Sequence, residues 1–104
     1  MPSSGGFVAV LVIELHFPDV YGLKAKRKEL SSIKAQLRSR MGVAVAETGS
    51  HDLWQRATLT ASLTGGSLRV LSSAADEVER WVLARCPEGA SVERLVASVE
   101  DLRG

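Results

Sequence analysis

Leu53–Val82, "LWQRATLTASLTGGSLRVLSSAADEVERWV", changes its hydrophobic period halfway along, and that change decides the fold. Before Gly65 the residues alternate. Ala57, Leu59, Ala61 and Leu63 share one face while Trp54, Arg56, Thr58, Thr60 and Ser62 share the other, the two-residue period of a strand buried on one side. After Gly65 and Gly66, the apolar residues Leu68, Leu71, Ala75, Val78 and Val82 recur at helical spacing with Cys86 in phase, and Ser67 stands where an N-cap belongs. Pro87 and Gly89 end this helix.

The flanking sequence repeats the scheme. Phe7–Phe17, "FVAVLVIELHF", is rich in β-branched residues and stops at Pro18, which predicts a well-buried first strand and a turn. From Leu23 the positions Leu30, Ile33, Leu37 and Met41 hold one phase at about 100° per residue, and Gly42 closes the helix as a C′ glycine. Then come a short strand, "VAVAET", the turn "GSHD", the long strand beginning at Leu53, the second helix, and a last strand over about Ser91 to Leu102. The order βαββαβ is the split βαβ arrangement. It predicts an α+β, ferredoxin-like fold: a four-stranded antiparallel sheet, strands one and three central, with two helices on one face. The other face is bare. Val8, Val10 and Val12 share its parity with Glu14 and His16, so it invites a cover: a second copy in a homodimer, or a partner's surface.

A chain of 104 residues, 45% hydrophobic and 24% charged, supports one core, so residues 7–102 are read as a single domain after a flexible N-terminal lead at 1–6. The apolar run Phe7–Ile13 is far shorter than the ~20 residues of a membrane span, and "MPSSGG" lacks the basic start of a signal peptide. A cytoplasmic protein without a membrane partner is expected. Cys86 is the sole cysteine, which excludes an internal disulfide and a Cys-based zinc site and suits a packing role. "TGGS", Thr64–Ser67, lacks the lysine and spacing of a P-loop and reads as a turn, so no cofactor is expected.

Charge is segregated along the chain. Between Gly22 and Met41 lie Lys24, Lys26, Arg27, Lys28, Lys34, Arg38 and Arg40 against Glu29 alone, a net +6, while the remainder carries −5. Cations in a first helical turn oppose the macrodipole, and like charges at 24 and 28 repel, each by a few tenths of a kcal/mol, roughly. With Leu23 at 0°, the residues Lys34, Arg27, Arg38, Lys24 and Lys28 fall between about 20° and 140°, one flank of the cylinder. The second helix mixes signs through Asp76, Glu77, Glu79, Arg80 and Arg85, as an ordinary solvated face does. A one-signed flank favours an anionic partner.

A second cluster follows from topology. If strands one and three are antiparallel neighbours, Glu14 and His16 lie beside Trp54 and Arg56, with Glu47, His51 and Asp52 at the same end. An aromatic ring, an arginine and a basic helix start are the ingredients that hold single-stranded nucleic acid by stacking and phosphate contact. Trp54 serves equally well as a cover for the sheet or a dimer contact. His16 and His51 lack a third ligand at metal-binding spacing, and Glu14 with His16 has no evident nucleophile beside it, so neither a metal nor catalysis is expected.

The stretches "GLKAKR" and "AETGSHDLWQRA", with the spacing between them, resemble the small bacterial YlxP-like family of uncharacterised proteins, over about Phe7 to Leu102. The resemblance implies a ferredoxin-like fold and, because such proteins are commonly encoded beside genes for translation initiation and ribosome maturation, a role near RNA or the ribosome. The family's basic motif falls on Leu23, Lys24, Lys26 and Arg27, and its aromatic motif on Asp52, Leu53, Trp54, Gln55 and Arg56; Ala25 departs by replacing an acidic residue. The expectation is a non-catalytic RNA-binding accessory protein of translation or ribosome maturation. It would bind through Lys24, Lys26, Arg27, Lys28, Lys34, Arg38, His51, Trp54 and Arg56. The alternative is a homodimeric module that docks an acidic protein and no nucleic acid.

Overall fold

Alternation in the two longest strands places them side by side at the sheet's centre. A computed structural model of the chain describes residues 5–104 in the order β1 (Phe7–His16), α1 (Leu23–Met41), β2 (Ala44–Gly49), β3 (Arg56–Gly65), α2 (Leu68–Arg85), β4 (Ala90–Ser98) and α3 (Val99–Arg103). The strands form one antiparallel sheet in the order β2-β3-β1-β4, with Phe7 opposite Gly65 and His16 opposite Arg56. The fold is ferredoxin-like α+β.

One sheet face carries Ala9, Leu11, Ile13 and Leu15 from β1 and Ala57, Leu59, Ala61 and Leu63 from β3, all buried against the helices. Leu30, Ile33 and Leu37 of α1 and Leu71, Ala75, Val78 and Val82 of α2 fill the other side of that core. Each fully buried leucine, isoleucine or valine contributes about 1.5–3 kcal/mol, so these stripes hold the layers together. Polar contacts add direction: Arg85 pairs with Glu29 at 3.0 Å across the helices, and Arg94 of β4 pairs with Asp76 and Glu79 of α2. Gly42 ends α1 at φ 65°, ψ 29°, a left-handed conformation that glycine adopts without a Cβ clash.

Beyond shifts of a single residue at strand ends, the structure departs from the sequence reading at three places. β3 begins at Arg56, not Leu53, because Ser50–Leu53 close a turn through Leu53 N–H to the Ser50 carbonyl at 3.1 Å, and Gln55 bonds sideways to the 17–20 segment. Trp54 therefore sits on a loop before the strand. β4 stops at Ser98, whose hydroxyl and backbone exchange hydrogen bonds with Asp101 in a capping box that starts α3. Leu102 accordingly lies on a helical turn. Leu68 is 53% exposed, so the buried stripe of α2 begins one turn later, at Leu71.

Of the proposed lead, residues 1–4 lie outside the described residues, and the Gly6 carbonyl accepts from Val99 N–H at 2.8 Å. None of the described residues covers the second sheet face: Val8, Val10 and Val12 are partly exposed there, flanked by Thr60, Ser62 and the half-exposed Leu95. Among the described residues no helix is long and apolar enough to cross a membrane.

Candidate nucleic-acid interface

Lys26 organises the site from inside. It falls about 60° from Leu23 on the side of Leu30 and Ile33, four and seven residues further on, which places it in the buried stripe and not on the cationic flank. It is 2% exposed. Its ammonium donates to the carbonyls of Ser50 at 2.5 Å and Leu53 at 2.6 Å and pairs with the Glu47 carboxylate at 3.3 Å, so all three protons have acceptors. Lys26 was among the residues expected to bind a ligand; the structure corrects this, because its charge is spent inside the fold.

Those acceptors explain a strained loop. A bulge shifts the register of β2 between Glu47 and Gly49, and Ser50 then takes φ 59°, the left-handed region that costs a non-glycine residue about 1 kcal/mol or more. The Ser50 carbonyl receives both the Leu53 amide and Lys26, so the ammonium clamps both ends of the 50–53 turn onto the start of α1. His51 and Asp52 are displayed at its exposed tip.

Trp54 follows directly and is 49% exposed. Its ring meets that of Tyr21 edge-on, with centroids 6.4 Å apart and an interplanar angle of 74°. Gln55 fixes the backbone beneath: its carbonyl accepts from Phe17 N–H at 2.8 Å, and its side-chain amide donates to the carbonyls of Pro18 and Val20, each at 3.3 Å. The result is an open groove of about 450 Å³ lined by Leu23, Asp52, Leu53, Trp54, Gln55 and Arg56. Tyr21 was not foreseen as a member; its place just before the helix-starting Gly22 was the available signal.

The cations outside this knot divide by helix face. Glu29, on one side of α1, pairs with Arg85 and so faces α2. Arg38, on the other, donates to the Val45 carbonyl at 2.8 Å and so faces β2. The flank holding Lys24, Arg27, Lys28 and Lys34 therefore looks outward on the β2 side of the molecule, and among the described residues none of the four forms an ion pair. Lys24, Arg27 and Lys28 are exposed and Lys34 partly so. Arg38 is exposed too, with one N–H group engaged at a backbone carbonyl.

The remaining polar groups do not converge. His16 stands opposite Arg56 in the register and lines a small groove of about 170 Å³ with Glu14 and Arg56, whereas His51 lies on the turn clamped by Lys26. Neither imidazole hydrogen-bonds a carboxylate among the described residues, and Glu14 instead accepts from the Thr58 hydroxyl at 2.9 Å. Burial pushes the Cys86 thiol above its ordinary value, against a smaller opposing effect of Arg85, which disfavours the reactive thiolate. No group of three His, Cys, Asp or Glu side chains with metal-binding geometry occurs among the described residues.

Residues 8–99 match the model of a family described as "Protein of unknown function (DUF503)". No curated protein matches the chain. Among solved structures, a protein titled "De novo designed protein Foldit4" is similar, with a TM-score of 0.59 at 10% identity, covering 89% of this chain and 97% of its own. That likeness supports the fold alone.

Proposed function

We propose that this chain, which belongs to the DUF503 family of proteins of unknown function, is a non-catalytic accessory protein that binds single-stranded RNA along α1 and the Trp54 loop. One observation carries the reading. The Lys26 ammonium fastens the 50–53 turn to the first turns of α1, so a half-exposed indole and the unpaired cations of the adjoining flank are held in fixed relation. Stacking on an aromatic face contributes about 1–3 kcal/mol per base without demanding a sequence, and cations along the same strip neutralise phosphates. The resemblance to YlxP-like proteins directs the proposal toward translation or ribosome maturation.

With Lys26 withdrawn, Lys24, Arg27, Lys28 and Lys34 remain as four phosphate contacts. Counterion release at ~0.7 per contact then gives log K against log salt a slope of roughly −3. Reversing Arg27 and Lys34 to Glu should flatten it to about −1.5. Binding that ignores salt, or an unchanged slope in the double variant, would remove the α1 flank from the interface.

The uncovered sheet face supports a second reading, a homodimer through Val8, Val10, Val12 and Leu95 with the basic helix directed at an acidic protein. Nucleic acid would then be irrelevant, and capture of a partner would survive nuclease treatment.

A further inference from the structure

We infer that the groove beside Trp54 selects guanine, so that a strand bound along α1 is held best where a guanine meets the indole; this rests on the RNA-binding reading above. Asp52 and Arg56 stand two residues before and two after Trp54, both are exposed, and both line the same groove of about 450 Å³. Opposite charges sharing one groove ordinarily close on each other. Here neither side chain forms an ion pair among the described residues, so a groove that also holds the indole keeps an acceptor pair and a donor fork uncommitted, although Arg56 borders the Glu14 and His16 groove as well.

Guanine matches both groups at once. Its N1–H and N2–H are adjacent donors for the two oxygens of one carboxylate, and its O6 and N7 are adjacent acceptors for an arginine fork. No other RNA base offers a carboxylate two neighbouring donors from different ring positions. Adenine sets its N6 amine between N1 and N7 acceptors, cytosine sets N4 beside the N3 acceptor, and uracil places N3–H between two carbonyls. Trp54, propped edge-on by Tyr21, supplies the stacking face, while Leu23 and Leu53 give the groove its apolar walls.

The backbone favours a fixed reader. The Lys26 clamp holds the turn that bears Asp52, and Gln55 is bonded to the 17–20 segment between Trp54 and Arg56. Both recognition residues thus stand on anchored backbone in the groove that holds the indole, which lowers the ordering cost of binding.

The test is fluorescence anisotropy of the full chain at low salt with labelled eight-nucleotide RNAs: all-uridine, and the same strand with one central G, A or C. The expected result is a preference for the G-containing strand of about 10- to 100-fold over the A- and C-containing ones. In Asp52→Asn the preference should fall by about tenfold, because only one of the two acceptors survives while the Arg56 fork remains. Arg56→Lys should weaken the preference as well, since an ammonium cannot bridge O6 and N7 as a fork does. Asp52 is exposed on a turn and Arg56 is exposed at the first position of β3, so these variants keep the fold, and circular dichroism verifies it. Equal affinity for all four strands overturns the guanine inference and leaves RNA binding standing; an unaltered G preference in Asp52→Asn overturns the role of Asp52. Absence of binding to every strand overturns both readings.

Discussion

Replacing Lys26 by methionine keeps most of the volume of the side chain and removes its charge. The Ser50 and Leu53 carbonyls lose their shared donor, and Glu47 loses its partner. Hydrogen bonds to a charged group contribute about 1.5–3 kcal/mol each, and removing one member of a buried pair costs about 3–5 kcal/mol when the other stays dry. Glu47 is 22% exposed and regains water, so its share is discounted, and the expected loss is about 2–4 kcal/mol. For a domain of this size that lowers Tm by roughly 8–16 °C. Lys24→Met and Lys28→Met are the controls: both residues are exposed and, among the described residues, without an ion pair; Lys24 opposes the dipole in a first turn that has no acidic residue, and each repels the other. They should alter stability by no more than about 0.5 kcal/mol, in the stabilising direction. Urea unfolding gives the free energies, and amide exchange at Leu53, which donates to Ser50, reports the loop directly. A Lys26→Met protein within 1 kcal/mol (roughly) of the parent, with unchanged Leu53 protection, would refute the clamp. The same variant should bind RNA more weakly even though its lost charge never faced solvent.

Two further outcomes test other parts of the molecule. If the sheet face joins two copies, analytical ultracentrifugation finds dimers that Val10→Lys converts to folded monomers; an exclusively monomeric parent retires that reading. Backbone and side-chain hydrogen bonds from Ser98 hold the Asp101 carboxyl below its ordinary value of about 3.8. Its capping contribution is therefore fully present above that value and fades as pH falls through the depressed folded value. Amide protection factors in Val99–Arg103, taken relative to intrinsic exchange at each pH, should fall over that acid window while those of the sheet hold, and in Asp101→Asn, which has no carboxyl to titrate, the pH dependence should vanish.

Regular periodicity made the fold readable. The alternation of Ala57 to Leu63 and the stripe of Leu30, Ile33 and Leu37 announce their faces locally, because burying one side of a strand or helix demands that spacing. Chain order then left few topologies, and the antiparallel pairing of His16 with Arg56 followed from it. The end of β4 was harder. Val92 to Leu102 is apolar enough to extend a strand, but Ser98 and Asp101 form a capping box there, and a short local hydrogen-bond motif outcompetes the ladder at an edge.

By itself, then, the sequence determined the four strands and two long helices, their order, the inward faces and the concentration of positive charge on α1, since all of these depend on neighbours a few residues apart, but not the short α3. Only the tertiary structure decided what the cations do. Lys26 lies in the buried phase of its helix by simple angular position, yet its acceptors at Ser50 and Leu53 are 24 and 27 residues away and become available only once a bulge and a left-handed residue turn the loop toward it. Two lysines at neighbouring positions in one basic run, Lys24 and Lys26, thus have opposite fates, one facing water and one holding the fold. Partners distant in sequence set that difference, because the worth of a charge depends on the solvent and the acceptors it meets after folding.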